Sequence, residues 1–101
     1  MKMLCIYKPT AGNEEALYGL VKKHWGVLRS VGLVTDEPAI VYKAIEKNTR
    51  RPFYVEIFSW RDAKAPELAH QMPEVMQMWE PMGPMIVGGR GPELAVIERT
   101  N

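Results

Sequence analysis

At 101 residues the chain has room for one compact domain, since most domains run to about 100–150 residues, and residues 1–101 are read as a single unit. Hydrophobic residues make up 47% and charged residues 25%, a globular balance that argues against disorder. The net charge of +1 offers no basic face for nucleic acid, and no apolar run approaches the length of a membrane span. The N-terminus lacks the apolar core of a signal peptide, and Cys5, the single cysteine, permits no internal disulfide; both place the protein in the cytoplasm.

Residues 3–7 alternate ahead of Pro9 and read as a short strand. Gly12 and Asn13 offer a helix start, with Glu14 and Glu15 where the helix dipole favours acids. Leu17, Leu20, Val21, His24, Leu28 and Val31 then recur at helical spacing up to Gly32, a natural stop. Residues 39–46 and 53–60 are rich in β-branched and aromatic side chains, and the polar segment between them reads as a hairpin connection. Asp62 can cap a second helix, with Pro66 in its first turn. Its stripe of Leu68, Met72, Val75, Met78, Trp79 and Met82 should break at Pro73, which opens a second piece, and end at Pro81, Gly83 and Pro84. A glycine-rich connection leads to a last strand over residues 93–99. The order β-α-β-β-α-β is that of the α+β, ferredoxin-like arrangement, with two helices on one face of a four-stranded antiparallel sheet.

The strands predict an assembly as well. Phe53, Val55 and Ile57 oppose Tyr54, Phe58 and Trp60; Ile40, Tyr42 and Ala44 oppose Val41 and Ile45; Leu94 and Val96 oppose Ala95 and Ile97. Both faces are apolar, yet the chain has helices for one only. An uncovered face would expose several hundred square ångströms (about 300–600) of apolar surface, and a sheet-to-sheet homodimer is the simplest way to bury it.

The segment from Tyr54 to Met85, with its Glu56-to-Trp60 strand ending, Ala69-His70, and Glu74-Val75 leading to Trp79-Glu80-Pro81, resembles the antibiotic biosynthesis monooxygenase-like proteins of the dimeric α+β barrel superfamily. The resemblance implies a pocket in each subunit between helices and sheet, and two sheets meeting across a dimer axis. It also implies chemistry drawn from cofactor-independent oxygenation of phenols and quinols, or from heme degradation. The heme-degrading branch carries an Asn on its first strand and a helical Trp and His. Here the first strand has no Asn, and His70 and Trp79 stand near the places where that branch has its Trp and its His, so heme degradation is not expected.

His24 lies within the apolar stripe of the first helix, either as a core histidine or as a neutral pocket base able to take a proton from a phenol. His70 points away from Leu68 and Met72, toward solvent or a dimer rim, yet the resemblance makes it the first candidate for a catalytic base. Trp60, Trp79, Tyr7, Tyr42 and Tyr54 carry N–H or O–H groups that could bond a ligand oxygen, and they serve equally as packing. Five of the seven methionines fall between Met72 and Met85, as helix core or as a soft wall for a flat ligand. Cys5, His24 and His70 are too few and scattered for a metal site, and no phosphate-cradling glycine motif follows a strand. The expectation is therefore a homodimer without cofactor or metal that takes a small aromatic molecule. It would act either as a monooxygenase-like enzyme or as a non-catalytic binding module; a fully packed interior with no pocket is the third reading.

Overall fold

A computed structural model describes residues 1–101. The chain runs β1 (Lys2–Tyr7), α1 (Glu14–Ser30), β2 (Ile40–Ile45), β3 (Pro52–Ser59), α2 (Ala65–Ala69), α3 (Pro73–Met85) and β4 (Glu93–Ile97). The strands form one antiparallel sheet in the order β2-β3-β1-β4, so the first and last strands are neighbours and β3 and β1 lie at the centre. This is the ferredoxin-like α+β fold, with the second helix divided at Pro73 as its sequence requires.

The helices are shaped by local chemistry. α1 has Glu14 and Glu15 in its first turn and buries Leu17, Val21, His24 and Leu28; each buried Leu or Val contributes about 1.5–3 kcal/mol. The Asn13 side chain does not cap it and instead donates to Thr10 Oγ1 at 2.7 Å. The chain then leaves through Gly32, whose φ of 74° suits a residue without a Cβ. Asp62 Oδ1 accepts the amide N–H groups of Lys64 and Ala65, each at 3.0 Å, and so starts α2.

The stripe of α3 ends one residue past the expected Pro81, Gly83 and Pro84, at Met85, with both prolines inside the helix. Both prolines are exposed, as are Gln77 and Glu80 one turn before them, so the carbonyls that lose an intrahelical partner lie on the wet side. The apolar side carries Val75, Met78 and Met82 into the core and keeps the helix in place.

Strand alternation places Met3, Cys5 and Tyr7 of β1 and Tyr54, Glu56 and Phe58 of β3, with Trp60 just beyond it, under the helices. The other sheet face has no helix over it. Leu4, Ile6, Phe53, Val55 and Ile57 are only half-buried there, while Ile40 and Tyr42 are 50% and 57% exposed. No helix is long and apolar enough to cross a membrane.

Candidate functional site

Between the helices and the covered sheet face lies a cavity of about 500 Å³. Met3, Cys5, Tyr7, Phe58 and Trp60 form its sheet side, and His24, His70, Met76, Trp79 and Met82 its helix side. Arg90 and its flanking glycines, with Leu94 of β4, border it at the edge where no helix covers the sheet.

Four side chains from four elements make a continuous polar chain in this apolar setting. Glu56, fully buried on β3, receives the Tyr7 hydroxyl of β1 on Oε1 at 2.7 Å. The same oxygen is 2.7 Å from Nδ1 of His24 on α1, and the Trp79 indole of α3 donates to Nε2 of His24 at 2.9 Å. An indole N–H can only donate, so Nε2 is the acceptor and Nδ1 carries the proton that goes to Glu56. The order is thus Trp79 N–H to His24, His24 N–H to Glu56, and Tyr7 O–H to Glu56. The carboxylate is costly to bury alone, and two short donors on one oxygen compensate it. Its second oxygen, Oε2, is buried with no partner.

The carboxylate marks its neighbours. Burial, then the Glu56 charge, pushes the Cys5 thiol up to about 12, with the Tyr7 hydroxyl opposing. Cys5 is therefore an inert core thiol. The same two causes, in the same order, raise the Tyr7 phenol well above its ordinary value, so it remains a donor.

The candidate residues separate cleanly. His24, His70, Trp60, Trp79 and Tyr7 all border the cavity. His24 is 3% exposed and combines both of its sequence readings, a bonded core histidine and a cavity wall. His70 is exposed, follows directly on α2, and packs edge-on to Trp79 with ring centroids 5.0 Å apart. Trp79 thus sits between the two imidazoles, 6.1 Å by centroid from that of His24. Trp60 borders the cavity with its ring, packed edge-on to Phe58, while its N–H is buried without a partner. Tyr42 lies elsewhere: it is on the open face, paired in register with Val55, and does not border the cavity. Tyr54 also stands apart from the cavity, donating to the Glu14 carbonyl at 2.9 Å. No three His, Cys, Asp or Glu side chains cluster as a metal-holding group.

Glu56 is the residue that sequence reasoning passed over. The signal was present, because Glu56 shares the alternation of Tyr54, Phe58 and Trp60, a lone acid among aromatics on one strand face.

No family profile matches the chain, and no curated protein matches it. Solved structures do. An antibiotic biosynthesis monooxygenase structure superposes with a TM-score of 0.68 at 9% identity, covering 99% of this chain and 98% of the other. PA3566 from Pseudomonas aeruginosa gives 0.67 at 14% identity, over 99% and 93%. A dimeric ferredoxin-like protein of unknown function from Jannaschia gives 0.55 at 10% identity, over 97% of each chain. At these identities the likeness is one of fold, and over nearly its whole length this chain has the ferredoxin-like α+β fold of the antibiotic biosynthesis monooxygenase structures.

Proposed function

We propose that the protein is a homodimeric, cofactor-independent monooxygenase-like enzyme whose cavity takes a small phenolic or quinone-like molecule. The observation that carries this reading is a histidine on the wall of an apolar cavity of about 500 Å³, its Nδ1 backed by a buried carboxylate and its Nε2 held only by the Trp79 indole. The volume falls in the range of small-molecule sites, about 300–1,000 Å³.

In this reading the phenol hydroxyl takes the place of the Trp79 indole on His24 Nε2. Its O–H bond breaks, the electron pair stays on oxygen, and Nε2 holds the proton. The resulting anion is electron-rich and itself reduces dioxygen: a ring carbon para to the anionic oxygen adds O₂, and loss of water leaves a carbonyl there. The balance is phenol plus O₂ to quinone plus water, with all electrons supplied by the substrate. The apolar walls favour this by excluding water from the anion. The geometry supports His24 ahead of His70 as the proton acceptor, because His70 is exposed and is not hydrogen-bonded to any acid. His70 instead stands at the mouth, where a ligand would meet the outer side of Trp79. Tyr42 is not proposed as a ligand contact.

The homodimer follows from the open sheet face, where Leu4, Ile6, Ile40, Tyr42, Phe53, Val55 and Ile57 present one apolar surface. A fold neighbour described as dimeric supports it. The second reading, a non-catalytic binding module, draws on the fact that the Nε2 lone pair is already engaged by Trp79.

Oxygen uptake measured against a panel of simple phenols with a free para position tests the proposal. It should match phenol consumption one for one, vanish in His24→Gln, and rise or hold in Trp79→Phe, which keeps the ring and frees Nε2. A phenol that binds stoichiometrically without oxygen uptake and is recovered unchanged would replace the enzyme by the binding module.

A further inference from the structure

We infer that Glu56 is the positioning residue of the cavity: its carboxylate holds His24 in the Nδ1–H form with the Nε2 lone pair outward, and stands behind the ring as its counter-charge whenever Nε2 gains a proton. The second half of this inference rests on the reading of His24 as the proton acceptor; the first half does not.

The argument begins with confinement. Glu56 is 0% exposed, and its Cα partner across the ladder is Cys5, so it lies in the centre of the sheet with no route to water. Tyr7, two residues along β1, clamps Oε1 from the neighbouring strand, which keeps the carboxylate from turning away from α1. His24 therefore meets a fixed acceptor. A ring with one nitrogen facing a fixed acceptor and the other facing a donate-only indole has a single neutral arrangement that satisfies both bonds, and it is the one with the proton on Nδ1.

The surroundings of the ring then set its response to a proton. Glu56 faces it from β3, Trp79 from α3, and Phe58 edge-on from β3 at 5.5 Å between centroids. Tyr7 and Cys5 of β1 lie behind the carboxylate as neutral groups, and no Lys or Arg pairs with Glu56. When a phenol gives its proton to Nε2, Nδ1–H remains on Glu56 and the new positive charge is matched at 2.7 Å. Once the phenol has replaced the Trp79 indole, proton transfer thus converts a neutral–charged hydrogen bond into an ion pair with Glu56 already in place, which is how fixed charge aids a reaction.

The test has two readouts. The chain has two histidines, so the ¹⁵N spectrum of histidine-labelled protein shows two rings, told apart with His70→Asn. The wild type should show His24 with Nδ1 protonated and Nε2 bare. Because the Trp79 indole alone also favours this form, Trp79→Phe should keep it, whereas in Trp79→Phe with Glu56→Leu the preference should be lost. Glu56→Gln retains an acceptor oxygen and the side-chain shape, so it should keep the tautomer while removing the charge. The second readout is 7-hydroxycoumarin, a flat phenol whose fluorescence separates the neutral form from the anion. At fixed pH the ratio of bound anion to bound neutral probe should fall by about tenfold in Glu56→Gln relative to wild type. Loss of the Nδ1–H form in Trp79→Phe, or an undiminished anion ratio in Glu56→Gln, overturns the inference; should the double variant fail to fold, Trp79→Phe and Glu56→Gln decide it. Failure of the wild type to bind this or any phenol overturns the cavity reading instead, and the tautomer readout still decides what Glu56 does.

Discussion

The two faces of the central strand β3 differ in what they ask of their surroundings. Under the helices, Glu56 sits among Tyr54, Phe58 and Trp60 and needs two donors from other elements to be buried at all. On the other face, Phe53, Val55 and Ile57 need only to be kept from water. The covered face is therefore specific, since Tyr7, Glu56, His24 and Trp79 have one arrangement that joins them, whereas the open face is generic and any apolar cover will do. In the proposed reading chemistry belongs with the first and assembly with the second, and the period-two pleat lets a single strand carry both.

A charge set into the generic face should have the largest effect. Ile57, between Leu4 and Ile40 in register, is the centre of that face. Ile57→Lys should weaken a homodimer by about 100-fold or more, at about 1.4 kcal/mol per tenfold, while the cavity side keeps its hydrogen bonds. Sedimentation across a concentration series reads this directly, and a wild-type chain that is monomeric throughout would remove the assembly role from the open face.

Breaking the specific face should cost fold stability instead. His24→Leu leaves Glu56 buried with Tyr7 as its single donor and should destabilise the chain by about 3–5 kcal/mol in urea unfolding. Adding Glu56→Leu should recover part of that loss, because it removes the stranded charge, while the Tyr7 hydroxyl and the Trp79 N–H stay without acceptors. If the double variant is no better than His24→Leu, the penalty comes from packing and not from the stranded carboxylate.

The smallest effect sharpens the electrostatic side of the comparison. The Cys5 thiol is raised from its ordinary 9.0 to about 12, so the folded state keeps a proton that the unfolded chain gives up. Stability from this group is whole below pH 9 and declines as pH rises toward 12, by about 1.4 kcal/mol per pH unit at most. Cys5→Ala should flatten the onset of alkaline unfolding, whereas the raised Tyr7 phenol continues to contribute at higher pH.

Much of the architecture was legible because it is written in periodicity. The stripe of α1, the alternation of β3 and the break at Pro73 all rest on local spacing, and local spacing is what a chain displays. Tyr42 shows where this runs out. Its face was readable, with Ile40 and Ala44, but both faces of the sheet are apolar, and nothing in the alternation says which one the helices cover. The site was harder still. His24, Glu56 and Trp79 meet only because α1 and α3 pack over β3, and a strand register decides that Tyr7 rather than a neighbour reaches the carboxylate. Glu56 shares the face of Tyr54, Phe58 and Trp60, but the alternation alone does not say that the helices cover that face. α3 accommodates Pro81 and Pro84 near its end because the carbonyls they leave without a partner, one turn before them, lie on the exposed side.

The sheet order has a topological corollary. Because β1 and β4 lie side by side with Lys2 opposite Ile97, the two ends of the backbone leave the sheet at the same edge of the molecule. The chain is nearly a closed ring. It could be sealed across that gap and cut instead at the exposed tip between β2 and β3, around Arg50 with its φ of 64°, without severing a ladder bond between strands or moving any member of the Trp79–His24–Glu56–Tyr7 chain.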